Sequence, residues 1–121
     1  MHRTIYFALA DEQLHREIPD IVEGCSDLTL VGSAKDGVRA ALEIRSLSPD
    51  IVLIDHALPL LSGLKLARSI RTDSVLTKII LVTDRPELTY RLVADLLALD
   101  GFVQQSRVTK ELPSLLQSIC R

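Results

Sequence analysis

The chain is predicted to be an α/β domain with a doubly wound, five-stranded parallel sheet of (βα)5 order. Three observations support this. Short β-rich apolar runs alternate with longer segments of helical periodicity, the central runs are apolar at every position, and turn residues punctuate the joins. The first strand is read over Thr4 to Ala10, followed by a helix over Glu12 to Glu23 in which Leu14, Ile18 and Val22 recur on one face. Pro19 falls inside that helix, where a proline costs about 3 kcal/mol, so a kink or a break is expected. A second strand, Leu28 to Gly32, precedes a helix over Asp36 to Leu47. Ser48-Pro49-Asp50 stops this helix, because proline keeps its predecessor out of the right-handed α region. Strands then follow at Ile51 to Ile54, Lys78 to Val82 and Gly101 to Gln104, with helices at Leu60 to Arg71, Glu87 to Leu99 and Lys110 to Ile119.

The runs IVLI and IILV fit strands covered on both faces, as in a parallel sheet whose right-handed crossovers place helices above and below it. Thr83-Asp84-Arg85-Pro86 forms the turn into the fourth helix. That helix carries Leu88, Leu92, Val93, Leu96, Leu97 and Leu99, more apolar residues than one buried stripe uses. It is either a well-buried helix or a contact surface for another chain.

Composition limits the function. At 121 residues, 47% hydrophobic and 25% charged, the chain makes one ordinary globular domain over 1–121, burying roughly 65% of its unfolded surface. The two cysteines, Cys25 and Cys120, form no ligand cluster and no disulfide framework, so free thiols in a reducing compartment are expected. No apolar run approaches the roughly 20 residues of a membrane-spanning helix, and the N-terminus reads as a strand and not a secretion signal. A cytoplasmic location follows as the expectation. The 14 Lys plus Arg against 16 Asp plus Glu, net -2, leave no basic stripe for phosphate, so direct nucleic-acid contact by this domain is not expected.

In an open parallel sheet, ligands bind beyond the carboxyl ends of the strands, near the point where strand order reverses. There the sequence places Asp11 and Glu12 after the first strand, Asp55 after the third, Thr83 and Asp84 after the fourth, and Gln104 and Gln105 after the fifth. If the first and third strands are neighbours, Asp11, Glu12 and Asp55 converge. Gathered carboxylates repel and need a cation or a proton, and a hard ion such as Mg2+ suits an all-oxygen site. Solvated strand ends are the plainer alternative.

With these residues in place, the chain resembles a bacterial two-component receiver domain over nearly its whole length. ALADEQ resembles the first-strand signature ending in two acids. SPDIVLIDHALPLLSG is very close to the stretch presenting the phospho-accepting aspartate, and KIILVTD resembles the fourth strand ending in Thr or Ser. The stretch VGSAKDGVRAALEIRSLSPDIVLID is most similar to receivers of regulators with a LuxR-type helix-turn-helix output domain.

The resemblance implies a flavodoxin-like receiver fold, with Asp55 accepting the phosphoryl group from a histidine kinase. It also implies that Asp11 and Glu12, with the Ala57 carbonyl, help to hold Mg2+. Thr83 takes the place of the switch hydroxyl and Phe102 that of the rotating aromatic, although Phe102 also reads as plain core. Pro59 and Gly63 match the loop that shapes the pocket mouth. A homodimer through the face of helix 4, strand 5 and helix 5 is implied as well.

Three positions depart from the family pattern. Gln105 stands where the family has a nearly invariant lysine, and an amide supplies hydrogen bonds without charge, forgoing a contact of about 1.5 to 3 kcal/mol. Asp84 puts a carboxylate where a small residue is usual, repelling an anionic donor unless it faces solvent. His56 replaces the apolar residue common after the phospho-acceptor and is more often structural than catalytic in such a place. Arg85 or Arg107 is either a replacement cation or a solvated loop residue, while His2 and His15 have no partners that suggest metal ligation.

The sequence therefore favours an atypical receiver acting through dimerisation or partner binding, with weak phosphorylation at Asp55. It is not an enzyme beyond Mg-dependent self-phosphorylation and dephosphorylation. The alternative is a conventional phospho-accepting receiver controlling a DNA-binding output domain. A phosphatase is disfavoured because Ala57, two residues past Asp55, is no general acid, and a flavin protein because no phosphate loop follows the first strand.

Overall fold

The computed structural model describes residues 2–84 and 98–120. Strands β1 (Arg3–Ala8), β2 (Leu28–Ala34), β3 (Ile51–Asp55), β4 (Lys78–Thr83) and β5 (Gly101–Gln104) form one sheet in the order β2-β1-β3-β4-β5. Every neighbouring pair is parallel. Strand order reverses between β1 and β3, so the predicted adjacency of these two strands holds, with Ile5 opposite Ile51 and Ala8 opposite Ile54. Helices α1 (Glu12–Glu23), α2 (Gly37–Leu47), α3 (Gly63–Asp73) and α4 (Val108–Cys120) complete the described fold, with a 3-10 turn at Gln105–Arg107 before α4.

Alternation along the strands divides the core into two layers. Ile5, Phe7, Ile51, Leu53, Ile80 and Val82 face Leu14, Ile18 and Val22 of α1 and Val108, Leu112 and Leu116 of α4. Tyr6, Ala8, Val52, Ile54, Ile79 and Leu81 face Ala40 and Ile44 of α2 and Leu66, Ala67 and Ile70 of α3. All five residues of β3 are buried, which explains its unbroken apolar run up to Asp55. At the opposite rim the Thr4 amide donates to Asp50 Oδ2 at 2.8 Å, tying the start of β1 to the start of β3.

Several boundaries differ from expectation. Helix α1 runs unbroken through Pro19. The buried Leu14, Ile18 and Val22 each contribute roughly 2 kcal/mol, which together exceeds the local cost of the proline. Helix α3 begins at Gly63, three residues later than predicted, because Leu60 takes a left-handed backbone (φ 69°) and Ser62 is the N-cap. Helix α2 ends as expected, with Ser48 at φ 47° just before Pro49. The predicted fourth helix, with Leu88, Leu92, Val93, Leu96 and Leu97, lies outside the described residues. The described Ala98 and Leu99 at its predicted end are not helical, and Ala98 has φ 50°.

Candidate functional site

The carboxyl ends of the strands carry the candidate residues. Asp55 closes β3 with a carboxylate only 5% exposed. Its Oδ1 accepts from the Ala57 amide at 3.0 Å and its Oδ2 from the Ala10 amide at 3.3 Å, so backbone donors from two loops hold the charge in place. Two glycines fix the loop behind it. A β-carbon at Gly63 would lie 2.0 Å from the Asp55 carbonyl oxygen, and one at Gly37 would lie 1.9 Å from that of Leu61. The Gly63 amide donates to the His56 carbonyl at 3.1 Å and the Gly37 amide to that of Pro59 at 3.0 Å. The first turns of α2 and α3 thereby clamp the 56–62 loop, whose Pro59 is exposed.

Asp11 is the N-cap of α1, its Oδ1 accepting from the Leu14 amide at 3.0 Å. Its Oδ2 faces the Gln105 side-chain amide at 3.4 Å. Glu12 turns outward to Lys35, with Nζ and Oε1 3.0 Å apart on exposed side chains, and the lysine's hydrogen bond and charge hold this carboxyl below its usual range. Asp11 and Glu12 are thus engaged by different partners, Gln105 and Lys35. Among the described residues no three His, Cys, Asp or Glu side chains are placed to share a metal ion. Helical geometry explains this: Glu12 opens the first turn of α1 while Asp11 caps it, so consecutive side chains diverge.

The donors themselves still suit a hard ion, since Asp11, Asp55 and the Ala57 carbonyl offer only oxygen. Glu12 is engaged in an ion pair between two exposed side chains, which solvent screens.

Thr83, at the end of β4, is 2% exposed and paired in register with Gln104. Asp84 is exposed. Phe102 is partly buried against the layer formed with α2 and α3. Beside Asp11 a cleft of about 420 Å³ is lined by Asp11, Glu17, Asp84, Gln105, Ser106 and Thr109, together with Gln13 and Leu14, with no lysine or arginine among its described lining residues. Arg107 is exposed on the 3-10 turn and Arg85 lies outside the described residues.

Two of the histidines are tied to neighbouring elements. His15 Nε2 lies 2.6 Å from the Leu9 carbonyl and its ring meets Phe7 edge-on at 4.8 Å, while His2 bonds Thr29. His56 is half-buried, with its Nδ1 lacking a hydrogen-bond partner. Sequence reasoning missed Lys35, which follows β2 on the same rim, and the strand-end rule applied to β2 would have found it. The amides of Ala10 and Ala57 carry no side-chain signal and emerge only from the fold.

Comparison with known proteins agrees with this architecture. The family described as response regulator receiver domain matches residues 9–117. A protein-glutamate methylesterase/protein-glutamine glutaminase of Methanospirillum hungatei is 31% identical over 114 residues, covering 85% of this chain and 33% of the relative. The chain spans a third or less of the length of the curated relatives it matches. In structure it is similar to a LuxR-family DNA-binding response regulator of Staphylococcus aureus, with TM-score 0.86 and 22% identity over 98% of this chain and 99% of that one. It is also similar to the signal receiver domain of NarL from Mycobacterium tuberculosis, with TM-score 0.83 and 20% identity over 98% and 95% of the two chains. These likenesses show a shared fold, and the match over residues 9–117 shows that the chain belongs to the response regulator receiver domain family.

Proposed function

We propose that this receiver is atypical: it takes phosphate on Asp55 weakly and acts chiefly through dimerisation or partner binding. The observation that carries this reading is the cleft in which Gln105, 3.4 Å from Asp11, stands where the family's lysine would, among the carboxylates of Asp11, Glu17 and Asp84, with no cationic side chain among the described lining residues. Phosphoryl transfer asks a protein mainly for positioning and for neutralising charge on the transferring oxygens. Asp55 is well positioned as a nucleophile by the Ala10 and Ala57 amides, but the cleft around Asp11, the residue after Ala10, adds negative charge on the same rim. Weak Mg2+ binding by Asp55, Asp11 and the Ala57 carbonyl, with Glu12 contributing on leaving Lys35, would supply positive charge there. Thr83 is proposed as the hydroxyl that meets the phosphoryl group, and Phe102 as the side chain that responds to it.

Dimerisation is proposed through β5, α4 and the leucine-rich segment 87–99, which the resemblance implies as the output face. Sedimentation showing only monomer at micromolar concentration overturns that part. The chain itself is proposed to be a cytoplasmic signalling module over 1–121 and not an enzyme, without nucleic-acid contact of its own. No helix among the described residues is long and apolar enough to cross a membrane.

The deciding experiment offers Mg2+ with acetyl phosphate or beryllofluoride and follows intact mass and amide spectra, with Asp55→Ala as control. The expected result is slow, partial modification that requires Asp55 and rises about tenfold or more in Gln105→Lys, the factor that about 1.5 to 3 kcal/mol of charge-assisted contact implies. Full modification of the unaltered chain at low donor, with no gain in Gln105→Lys, would instead favour a conventional receiver controlling a DNA-binding output.

A further inference from the structure

At the rim of the sheet opposite Asp55, the turn between α1 and β2 meets the last turn of α4. There a cleft of about 330 Å³ is lined by Gly24, Cys25, Ser26, Asp27 and Leu28 on one side and Leu116, Gln117 and Cys120 on the other. Both cysteines of the chain thus lie in one cleft, although 95 positions separate them in sequence. Both are free thiols, half-buried, and packed against the same core layer. Cys25 follows the C-cap Gly24 in a turn, and its thiol makes only a weak contact with the Ile21 carbonyl at 3.5 Å. Cys120 is the final residue of α4, where helix ends fray and the backbone yields most readily.

We propose that Cys25 and Cys120 form a modification site for small-molecule disulfides, which convert the pair into an intramolecular disulfide fastening the end of α4 to the α1–β2 turn. Cys25, as thiolate, attacks one sulfur of a low-molecular-weight disulfide such as oxidised glutathione. The disulfide's S–S bond breaks, one half leaves as a thiol carrying a proton, and a mixed disulfide forms on Cys25. Cys120 then attacks the Cys25 sulfur, the Cys25–Cys120 bond forms, and the second half leaves as a thiol carrying the other proton. Two protein thiols are oxidised and one small disulfide is reduced to two thiols.

The order of attack follows from the surroundings. Burial pushes the Cys120 thiol up against an opposing pull from Arg3, with smaller upward contributions from Cys25 and Asp27. Less of Cys120 is then thiolate at neutral pH, which suits it to the second, intramolecular step, where the partner sulfur is already at hand. Where glutathione keeps thiols reduced, such a bond would be transient and would respond to the redox state.

The test treats the reduced full chain with buffers of rising oxidised-to-reduced glutathione ratio at several protein concentrations, then alkylates, digests and weighs the products. The expected result is an intact chain lighter by two hydrogens, with the peptides bearing Cys25 and Cys120 linked. The fraction linked should not depend on protein concentration, and dithiothreitol should reverse it. Cys120→Ser should accumulate glutathione on Cys25 without a further step. Linkage only between chains, or stable glutathione on both cysteines of the unaltered chain, overturns the proposal. So does the absence of any modification at the highest ratio while the unfolded chain reacts. None of these outcomes bears on phosphate acceptance at Asp55.

Discussion

Gly63 and Tyr6 show how single residues set the geometry around the acid pocket. The α-carbon of Gly63 lies against the backbone of the residue that carries the acid, and an added β-carbon 2.0 Å from the Asp55 carbonyl oxygen leaves the α3 terminus nowhere to sit. Gly63→Ala is expected to lower unfolding free energy by about 3 kcal/mol, read from urea midpoints, because backbone and not a flexible side chain must move. Tyr6 is fully buried in the layer beneath α2, and its hydroxyl donates to Glu43 Oε1 at 2.8 Å. Burial, and then Glu43, push the phenol far above its ordinary range, so it keeps its proton. The Tyr6 and Arg39 hydrogen bonds hold the Glu43 carboxyl below its usual range. A depressed carboxyl contributes stability above its unfolded-state pKa and loses it as pH falls through the folded-state value. Tyr6→Phe is therefore expected to cost about 1 kcal/mol at neutral pH, with the gap narrowing below about pH 4 in denaturation series at stepped pH.

Helices and strands are held in register by polar residues at their ends. Asp11, Asp36 and Ser62 cap α1, α2 and α3, each accepting from the amide three residues on. At the far end of α3, Arg71 reaches the carbonyls of Val75 at 3.1 Å and Thr77 at 2.8 Å through Nη1, and that of Ala98 at 3.1 Å through Nη2. It also pairs with Asp100, whose Oδ2 accepts from the Ile79 amide at 2.9 Å. One guanidinium thus joins α3, the turn into β4 and the turn into β5. Its side chain is 15% exposed, so carbonyls left behind by Arg71→Ala would be only partly rehydrated, and a loss of about 3 kcal/mol in thermal or urea unfolding is expected. Arg71→Lys should recover little, since one ammonium cannot span those separated acceptors.

Across the whole molecule, stability is concentrated where both faces of the sheet are covered. β1 and β3 lie inside the sheet and are backed by both core layers, while β2 is an edge strand with one exposed and four half-exposed residues. Hydrogen exchange should therefore be slowest for amides of Phe7, Leu53 and Ile54 and markedly faster along β2. Equal protection across all five strands would contradict this layered account. Asp55 ends a strand that is buried at every residue, and its acid is held by amides of two loops that the same core supports.

Much of this was legible in residue order. The runs IVLI and IILV determined a parallel sheet covered on both faces, because burial on both faces demands continuously apolar strands whatever the details of packing. Asp55 and Thr83 were legible as strand-end polar residues, and Gln105 as an uncharged one, since strand ends follow from where the apolar runs stop. Only tertiary structure decided that Glu12 faces Lys35 and that α1 continues through Pro19. It alone placed the amides of Ala10 and Ala57 on the acid and brought Cys25 and Cys120, 95 positions apart, into one cleft. The physical reason is shared by all of these. Periodicity reports which face of an element is buried, whereas a side chain's partner depends on distances between elements that are set only when the layers pack.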